Sequence, residues 1–353
     1  MQSPTSDLRI RAMRPLPAPV IFEQAFPLED ADAVRIFRVR REISSIISGA
    51  DDRLLLVVGP CSIHDPSAAM EFATNLREAA DRCAGELLIV MRVYFEKPRT
   101  VVGWKGLIND PDLDGSFHIN KGLRLARKLM MDITVAGIPI ATEFLDTTLG
   151  QYYADLVSWG AIGARTVESQ IHRQLASGLS MPVGFKNRTD GNVQIAVDAI
   201  LSARHPHWFP SLTRKGLPAS MQTTGNNDTH LVLRGGSHGP NYSKEDVLAA
   251  VELLSRNGLP PHLMVDCSHG NSGKDAERQA AVALALAARI AAGDRAIAAV
   301  MIESNLLGGS QDYRAVPLVR GRSVTDDCLS WEKTLPVILR MAEAVSARRR
   351  TRS

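Results

Sequence analysis

Three features of the sequence predict an α/β fold whose parallel strands close into a (β/α)8 TIM barrel. Short, apolar, β-leaning runs begin near residues 54, 87, 139, 161, 182, 231, 262 and 296, which makes eight. Amphipathic helical patterns separate most of them, as expected of parallel strands joined by crossover helices. Each run is also followed closely by a charged or metal-competent side chain, and a parallel barrel builds its active site at the carboxyl ends of its strands. A doubly wound open sheet is the alternative that the same alternation allows.

Residues 1–50 precede the first strand and read as an N-terminal extension for regulatory or subunit contacts, with a helix near Asp30–Ser48; residues 51–353 form the barrel. The first strand, Leu54–Val58, runs into Gly59-Pro60-Cys61. Asp65 followed by Pro66 has the form of an N-cap with proline at the first helical position. Ala69, Met70, Ala73, Leu76 and Ala80 then line one helical face, which Gly85 can end. The second strand is Leu87–Val93. A second helical face, Leu123 to Ile133, closes at Gly137. Pro139–Phe144, Ala161–Ala164 and Pro182–Phe185 are the next strands, and a helix around Val193–Ile200 follows the last. His207–Leu212 and Met221–Thr224 can pair across Lys215-Gly216, a β-hairpin inserted before the sixth barrel strand, Leu231–Leu233. Ser243 and Asp246 resemble a capping box, and Gly258 and Pro260 stop the helix they begin. His262–Val265 and Ala296–Ile302 are the last strands; a helix through Leu335, Ile338 and Val345 closes the chain, with Arg348–Arg352 as a frayed, solvated end.

Composition narrows the function classes. A net charge of +3 over 353 residues gives no reason to expect a nucleic-acid partner. The most apolar stretch, Ala280 to Val300, is broken by Arg289, Asp294 and Arg295, so no membrane span is expected. The cysteines, Cys61, Cys83, Cys267 and Cys328, have no CxxC spacing, and the start lacks a signal-peptide core. A cytoplasmic protein is the expectation.

The side chains after the strands are Cys61, Arg92, Lys97, Arg99, Glu143, Arg165, Lys186, Arg234, His269 and Glu303. Six of them are cations, which would repel one another in one barrel mouth unless strongly anionic ligands filled it. Arginine suits bidentate carboxylate or phosphate, and lysine acts as a point charge. The expected substrates therefore carry more than one such group. Cys61, His269, Glu303 and either Asp326 or Asp327 form a mixed thiolate, imidazole and carboxylate set, suited to Mn, Fe, Co, Cu or Zn rather than Mg or Ca. Gly103-Trp104-Lys105-Gly106 reads as a structured active-site segment, and Arg234-Gly235-Gly236 lets backbone approach an anion.

Several of these segments resemble the class I 3-deoxy-7-phosphoheptulonate synthases in order and over nearly the whole chain. They are Gly59–Pro66, Met91–Thr100, Gly160–Thr166, Pro182–Asn187, Leu233–Gly236, Asp266–Asn271, Met301–Ser304 and Ser323–Asp326. The resemblance implies a barrel enzyme that condenses phosphoenolpyruvate with D-erythrose 4-phosphate and releases phosphate. It implies one divalent metal on Cys61, His269, Glu303 and Asp326, choosing Asp326 over Asp327. Arg92, Lys97, Arg165, Lys186 and Arg234 match its phosphoenolpyruvate positions, with Glu143 and Ala164 beside them. Arg99 and Thr100 match its aldose-phosphate pair. Cys61, His269 and Lys97 would take part in the chemistry, with Lys97 or a water at the metal carrying the proton. An octulosonate phosphate synthase and a non-catalytic amino-acid sensor are the competing readings.

Two departures from the family pattern stand out: Arg188 where glycine is common, and Ser237-His238-Gly239 where a shorter, lysine-containing link is usual. The resemblance further implies feedback by an aromatic amino acid at a site near Gly150, Gln151, Leu175, Leu179, Ser180, Phe209 and Ser211. Gly150 stands where phenylalanine- and tyrosine-sensitive forms usually have proline, which favours tryptophan. A homodimer or homotetramer is implied in the same way.

Overall fold

The computed structural model describes residues 5–99 and 101–351. The barrel strands are β1 (Leu54–Gly59), β2 (Leu87–Arg92), β3 (Ile140–Glu143), β4 (Trp159–Ile162) and β5 (Val183–Lys186). A hairpin of β6 (Trp208–Leu212) and β7 (Pro218–Gln222) then leaves the barrel before β8 (Thr229–Leu233), β9 (Leu263–Asp266) and β10 (Ile297–Asn305) complete it. Neighbours pair in the order β1-β2-β3-β4-β5-β8-β9-β10, all parallel, and β10 pairs with β1. That last pairing, Leu55 opposite Ala299 through Gly59 opposite Glu303, closes the sheet and excludes the open, doubly wound alternative. Short β11 (Leu329–Ser330) extends the end of β10.

The helices are α1 (Pro19–Ala25), α2 (Asp30–Ser48), α3 (Pro66–Arg82), α4 (Ile119–Val135), α5 (Gln170–Gly178), α6 (Gln194–Arg204), α7 (Lys244–Arg256), one-turn α8 (His269–Ser272), α9 (Ala276–Ala291) and α10 (Trp331–Arg350). Local chemistry sets their ends where the sequence places them. The Asp65 carboxylate accepts from the Ser67 and Ala68 amides at the start of α3. Ser243 and Asp246 make the reciprocal capping box of α7. Gly137 and Gly258 have positive φ after α4 and α7, at the positions that favour glycine.

Strand periodicity divides the core into two layers. Leu54, Leu56, Val58, Ile89, Val265 and Ile302 face the surrounding helices. Leu55, Val57, Leu88, Val90, Trp159, Val232, Met264 and Met301 fill the barrel interior. Ile43, Ile46 and Ile47 of α2 join that interior cluster, so the extension's long helix plugs one end of the barrel and leaves the other for chemistry.

Three readings need correction. The fourth strand begins two residues early, at Trp159, because Trp159 and Gly160 pair with Ala141 and Thr142 although Trp-Gly is no strand signature. The hairpin's second strand begins at Pro218, with Phe209 opposite Met221 and Leu212 opposite Pro218; it is half-exposed, and so lacks an apolar run. Residues 348–350 are not frayed: they belong to α10, Arg348 is buried and donates to the Asp52 carbonyl, and Arg349 pairs with the Asp52 carboxylate at 2.6 Å. Arg352 lies outside the described residues. The sequence reading also omits α1, which carries proline in its first turn.

Candidate active site

The two-residue period that fills the barrel also aims its functional side chains. Leu88 and Val90 point inward on β2, and Arg92 is the next residue of that face. Ala141 leads to Glu143, Val232 to Arg234, Met264 to Asp266, and Met301 to Glu303. An apolar interior therefore ends in a polar layer at the carboxyl ends of the strands. Four of those side chains, Arg92, Glu143, Asp266 and Glu303, are buried.

A thiol-and-carboxylate group lies at the centre. One donor atom each from Cys61, Glu303 and Asp326 falls within 4.8 Å of the others, the arrangement a single ion needs. His269 stands beside them, with Nε2 3.8 Å from Glu303 Oε1 and Nδ1 2.9 Å from Asp266 Oδ2. Its backbone φ of +54° is unusual for a non-glycine residue. Burial holds the imidazole below its ordinary pKa despite Asp266, so a neutral ring presents a lone pair. Burial works against ionisation of Glu303, but His269, Arg92 and Lys97 outweigh it and keep the carboxyl below its usual range. The Cys61 thiol is pushed up, first by burial and then by Glu303, with Lys97 opposing. Asp327 hydrogen-bonds Ser310 instead, which separates the two aspartates that the bare sequence left open.

The cations surround this group. Arg92 meets Glu303 at 2.8 Å and lies 4.0 Å above the Tyr94 ring centroid. Lys97 Nζ is 3.1 Å from Cys61 Sγ, and Lys186 Nζ is 2.9 Å from Asp266. Lys97, Arg99, Glu143, Ala164, Arg165, Lys186, Arg234, His269 and Asp326 line one narrow cavity of about 90 Å³, together with Lys274, which binds Asp326 at 3.0 Å. Arg234 Nε is buried with no hydrogen-bond partner among the described residues, so its guanidinium has donor capacity aimed at no protein acceptor. A wider vestibule of about 960 Å³ shares Lys97, Pro98 and Arg99 with the narrow cavity and adds Lys105 and Arg314. Arg99 is fixed there by the Trp104 carbonyl at 2.8 Å, and Trp104 Nε1 donates to the Asp110 carbonyl, so the Gly103–Gly106 segment is structured as expected. Thr100 falls outside the described residues.

Five of the seven proposed effector residues also converge. Gly150, Gln151, Leu175, Leu179 and Ser180 line a separate cavity of about 360 Å³ with Glu23, Arg40, Asp155 and Arg214. Phe209 and Ser211, on β6, are not among its lining residues. Arg188, the departure noted after β5, pairs with Glu168 at 2.7 Å and Asp190 at 3.1 Å on the rim.

A sequence model of the DAHP synthetase I family matches residues 27–337. The chain belongs to that family. It is 52% identical over 350 residues to the Phe-sensitive phospho-2-dehydro-3-deoxyheptonate aldolase of Escherichia coli K12, covering 99% of this chain and 100% of that one. It is 53% identical over 345 residues to the Trp-sensitive enzyme of Enterobacter agglomerans, covering 98% and 99%. The solved phospho-2-dehydro-3-deoxyheptonate aldolase of Francisella tularensis superposes with a TM-score of 0.94 at 52% identity, covering 96% of this chain and 99% of that one.

Sequence reading missed two residues that hold this DAHP synthetase site together. Asp266 receives both Lys186 and His269, and its signal was its inward position at the end of β9. Gln279 lies among the buried Val282, Ala283 and Leu286 of α9, and a buried glutamine in an apolar stripe was the available signal. Among the described residues no helix is long and apolar enough to cross a membrane.

Proposed function

We propose that this chain condenses phosphoenolpyruvate with D-erythrose 4-phosphate to give 3-deoxy-D-arabino-heptulosonate 7-phosphate and phosphate, opening aromatic amino-acid biosynthesis. The observation that carries the reading is the ring of cations around Cys61, Glu303 and Asp326, with Arg234 Nε unpartnered at its edge. The donors suit a borderline divalent ion, which Cys61, His269, Glu303 and Asp326 would hold. When bound, that ion supplies Lewis acidity at the aldehyde oxygen. Arg165, Lys186 and Arg234 bind the carboxylate and phosphate of phosphoenolpyruvate in the cavity that Glu143 and Ala164 also wall, with Arg92 behind them on Glu303. Arg99, with Thr100, takes the aldose phosphate at the vestibule side. C3 of phosphoenolpyruvate adds to the aldehyde carbon, water adds at C2, and the hemiketal phosphate collapses with loss of phosphate. Lys97 holds a proton at Nζ, because Cys61 and Glu303 outweigh the effect of burial, and can deliver it to the developing alkoxide. The cations contribute by positioning and charge stabilisation.

The second cavity suits a zwitterion. Arg40 and Arg214 can meet a carboxylate, Glu23 and Asp155 an ammonium, and Leu175 and Leu179 an aromatic ring. Gly150 lies in its wall where phenylalanine- and tyrosine-sensitive forms usually have proline, which favours tryptophan. Residues 1–50 are assigned to subunit and regulatory contacts in a homodimer or homotetramer. Exposed Leu8, Ile10, Met13, Ile21, Val34 and Phe37 support this.

One assay tests the reading: phosphate release from phosphoenolpyruvate with erythrose 4-phosphate or arabinose 5-phosphate, with and without chelator and with each aromatic amino acid. Turnover with erythrose 4-phosphate alone, lost on chelation and inhibited most by tryptophan, is the expected result. Chelator-insensitive turnover would overturn the metal assignment, and tryptophan-insensitive turnover the effector assignment.

A further inference from the structure

Asp266 lies at the end of β9 with no exposed surface. Every hydrogen-bonding partner of its carboxylate points toward the site's machinery or fixes its rotamer. Oδ1 accepts from the Ser268 amide at 3.0 Å and the Ser268 hydroxyl at 2.5 Å. Oδ2 accepts from Lys186 Nζ at 2.9 Å and lies 2.9 Å from His269 Nδ1, which also meets the Ser268 hydroxyl at 2.7 Å. Three hydrogen bonds and the imidazole contact occupy the carboxylate, so little capacity is left for a substrate or an ion.

We infer that Asp266 is the positioning residue that readies His269 as a metal donor while keeping Lys186 at the anion site. This rests on the reading of Cys61, His269, Glu303 and Asp326 as the metal set. The geometry works through the imidazole's two nitrogens. A proton on Nδ1, held by Asp266 and by the Ser268 hydroxyl that Asp266 orients, leaves the Nε2 lone pair facing Glu303 Oε1 at 3.8 Å. One oxygen serves both the metal's histidine and a cation of the substrate set, so the two sites share a single anchor.

Asparagine cannot replace it. The Ser268 amide and the Lys186 ammonium can only donate, so an amide NH2 at position 266 faces a donor whichever way it turns. Turned toward His269, it donates to Nδ1 and drives the proton to Nε2, removing the lone pair that the ion needs. Turned toward Ser268, it loses that backbone hydrogen bond and leaves the anchor loose.

The test measures Co²⁺ affinity of the substrate-free full-length protein and, separately, phosphoenolpyruvate affinity of the metal-free protein, for wild type and Asp266→Asn. Co²⁺ affinity is expected to fall about 10- to 100-fold, and phosphoenolpyruvate affinity to fall by less, because Arg165 and Arg234 still line the anion cavity beside a loosened Lys186. Unchanged Co²⁺ affinity, or equal losses of both ligands with a collapsed melting transition, overturns the inference. Should the variant not fold, histidine ¹⁵N spectra of the wild type decide. The Nδ1–H tautomer at His269 supports the anchor, and an Nε2–H tautomer overturns it. Metal-loaded wild type that releases no phosphate from its two substrates would sink the proposed reaction alone, since the Co²⁺ titration and the tautomer do not depend on turnover.

Discussion

At the scale of single residues, Glu303 is held by its backbone as firmly as by its charge. The Gln279 side chain donates to the Glu303 carbonyl at 2.9 Å and accepts from its amide at 2.6 Å, with both residues buried. A helix on the outer layer thereby fixes the height of a carboxylate at the mouth. Gln279→Met keeps the volume and removes both contacts, leaving two buried backbone groups unpaired at roughly 1–3 kcal/mol each. Denaturant titration should show a stability loss of about 2–6 kcal/mol together with weaker metal binding. A loss of stability with unchanged metal affinity would show that the clamp serves only the fold. The sequence made Glu303, Arg92 and Lys186 legible because charged residues are rare at buried strand ends. Gln279 was not legible, because its partner is a main-chain group 24 positions away that no side-chain pattern records.

Elements were legible where their ends carry their own chemistry. Asp65-Pro66 and Ser243 with Asp246 announce helices, and the structure builds them there. The two 3-10 turns Leu149–Tyr152 and Ala154–Leu156 announce nothing, because what shapes them comes from outside the segment. Arg127 of α4 grips Asp155 with both guanidinium nitrogens at 2.8 Å and reaches the Tyr152 carbonyl at 2.9 Å. Arg40 of α2 donates to the Ala154 and Val157 carbonyls at 2.9 Å. These turns carry Gly150, Gln151, Ala154 and Asp155 into the second cavity, so the clamp sets its shape. Arg127 is nearly inaccessible and Asp155 one-fifth exposed, so Arg127→Met should cost about 2–4 kcal/mol, somewhat less than breaking a fully buried pair. Inhibition curves should shift to at least tenfold higher amino-acid concentration while the uninhibited rate holds. Unaltered inhibition would mean that the cavity keeps its shape without the clamp.

For the whole molecule, the count and order of strands were readable, whereas closure was not, because pairing β1 with β10 joins residues some 240 positions apart and leaves no local trace. Beneath the polar layer at its mouth, the interior also holds His230. Trp159 Nε1 donates to His230 Nε2 at 2.9 Å, and the other ring nitrogen faces the Leu231 carbonyl at 3.3 Å. Burial lowers the His230 pKa from 6.5 to about 4, so the native barrel keeps the ring neutral through mild acid. In the unfolded chain the ring titrates near its ordinary value of about 6.5. Between pH 6.5 and 4 the unfolded state therefore binds a proton that the native state refuses. The stability this neutral ring contributes is fully present above the unfolded pKa and is lost as pH falls through that window, by about 3 kcal/mol in all. His230→Gln retains an acceptor for Trp159 and cannot titrate, so it should be less stable than wild type at neutral pH yet lose less on acidification. Denaturation free energies measured at several pH values across the window would show the two curves converging toward pH 4. Parallel curves would mean that His230 does not set the acid sensitivity of the barrel interior.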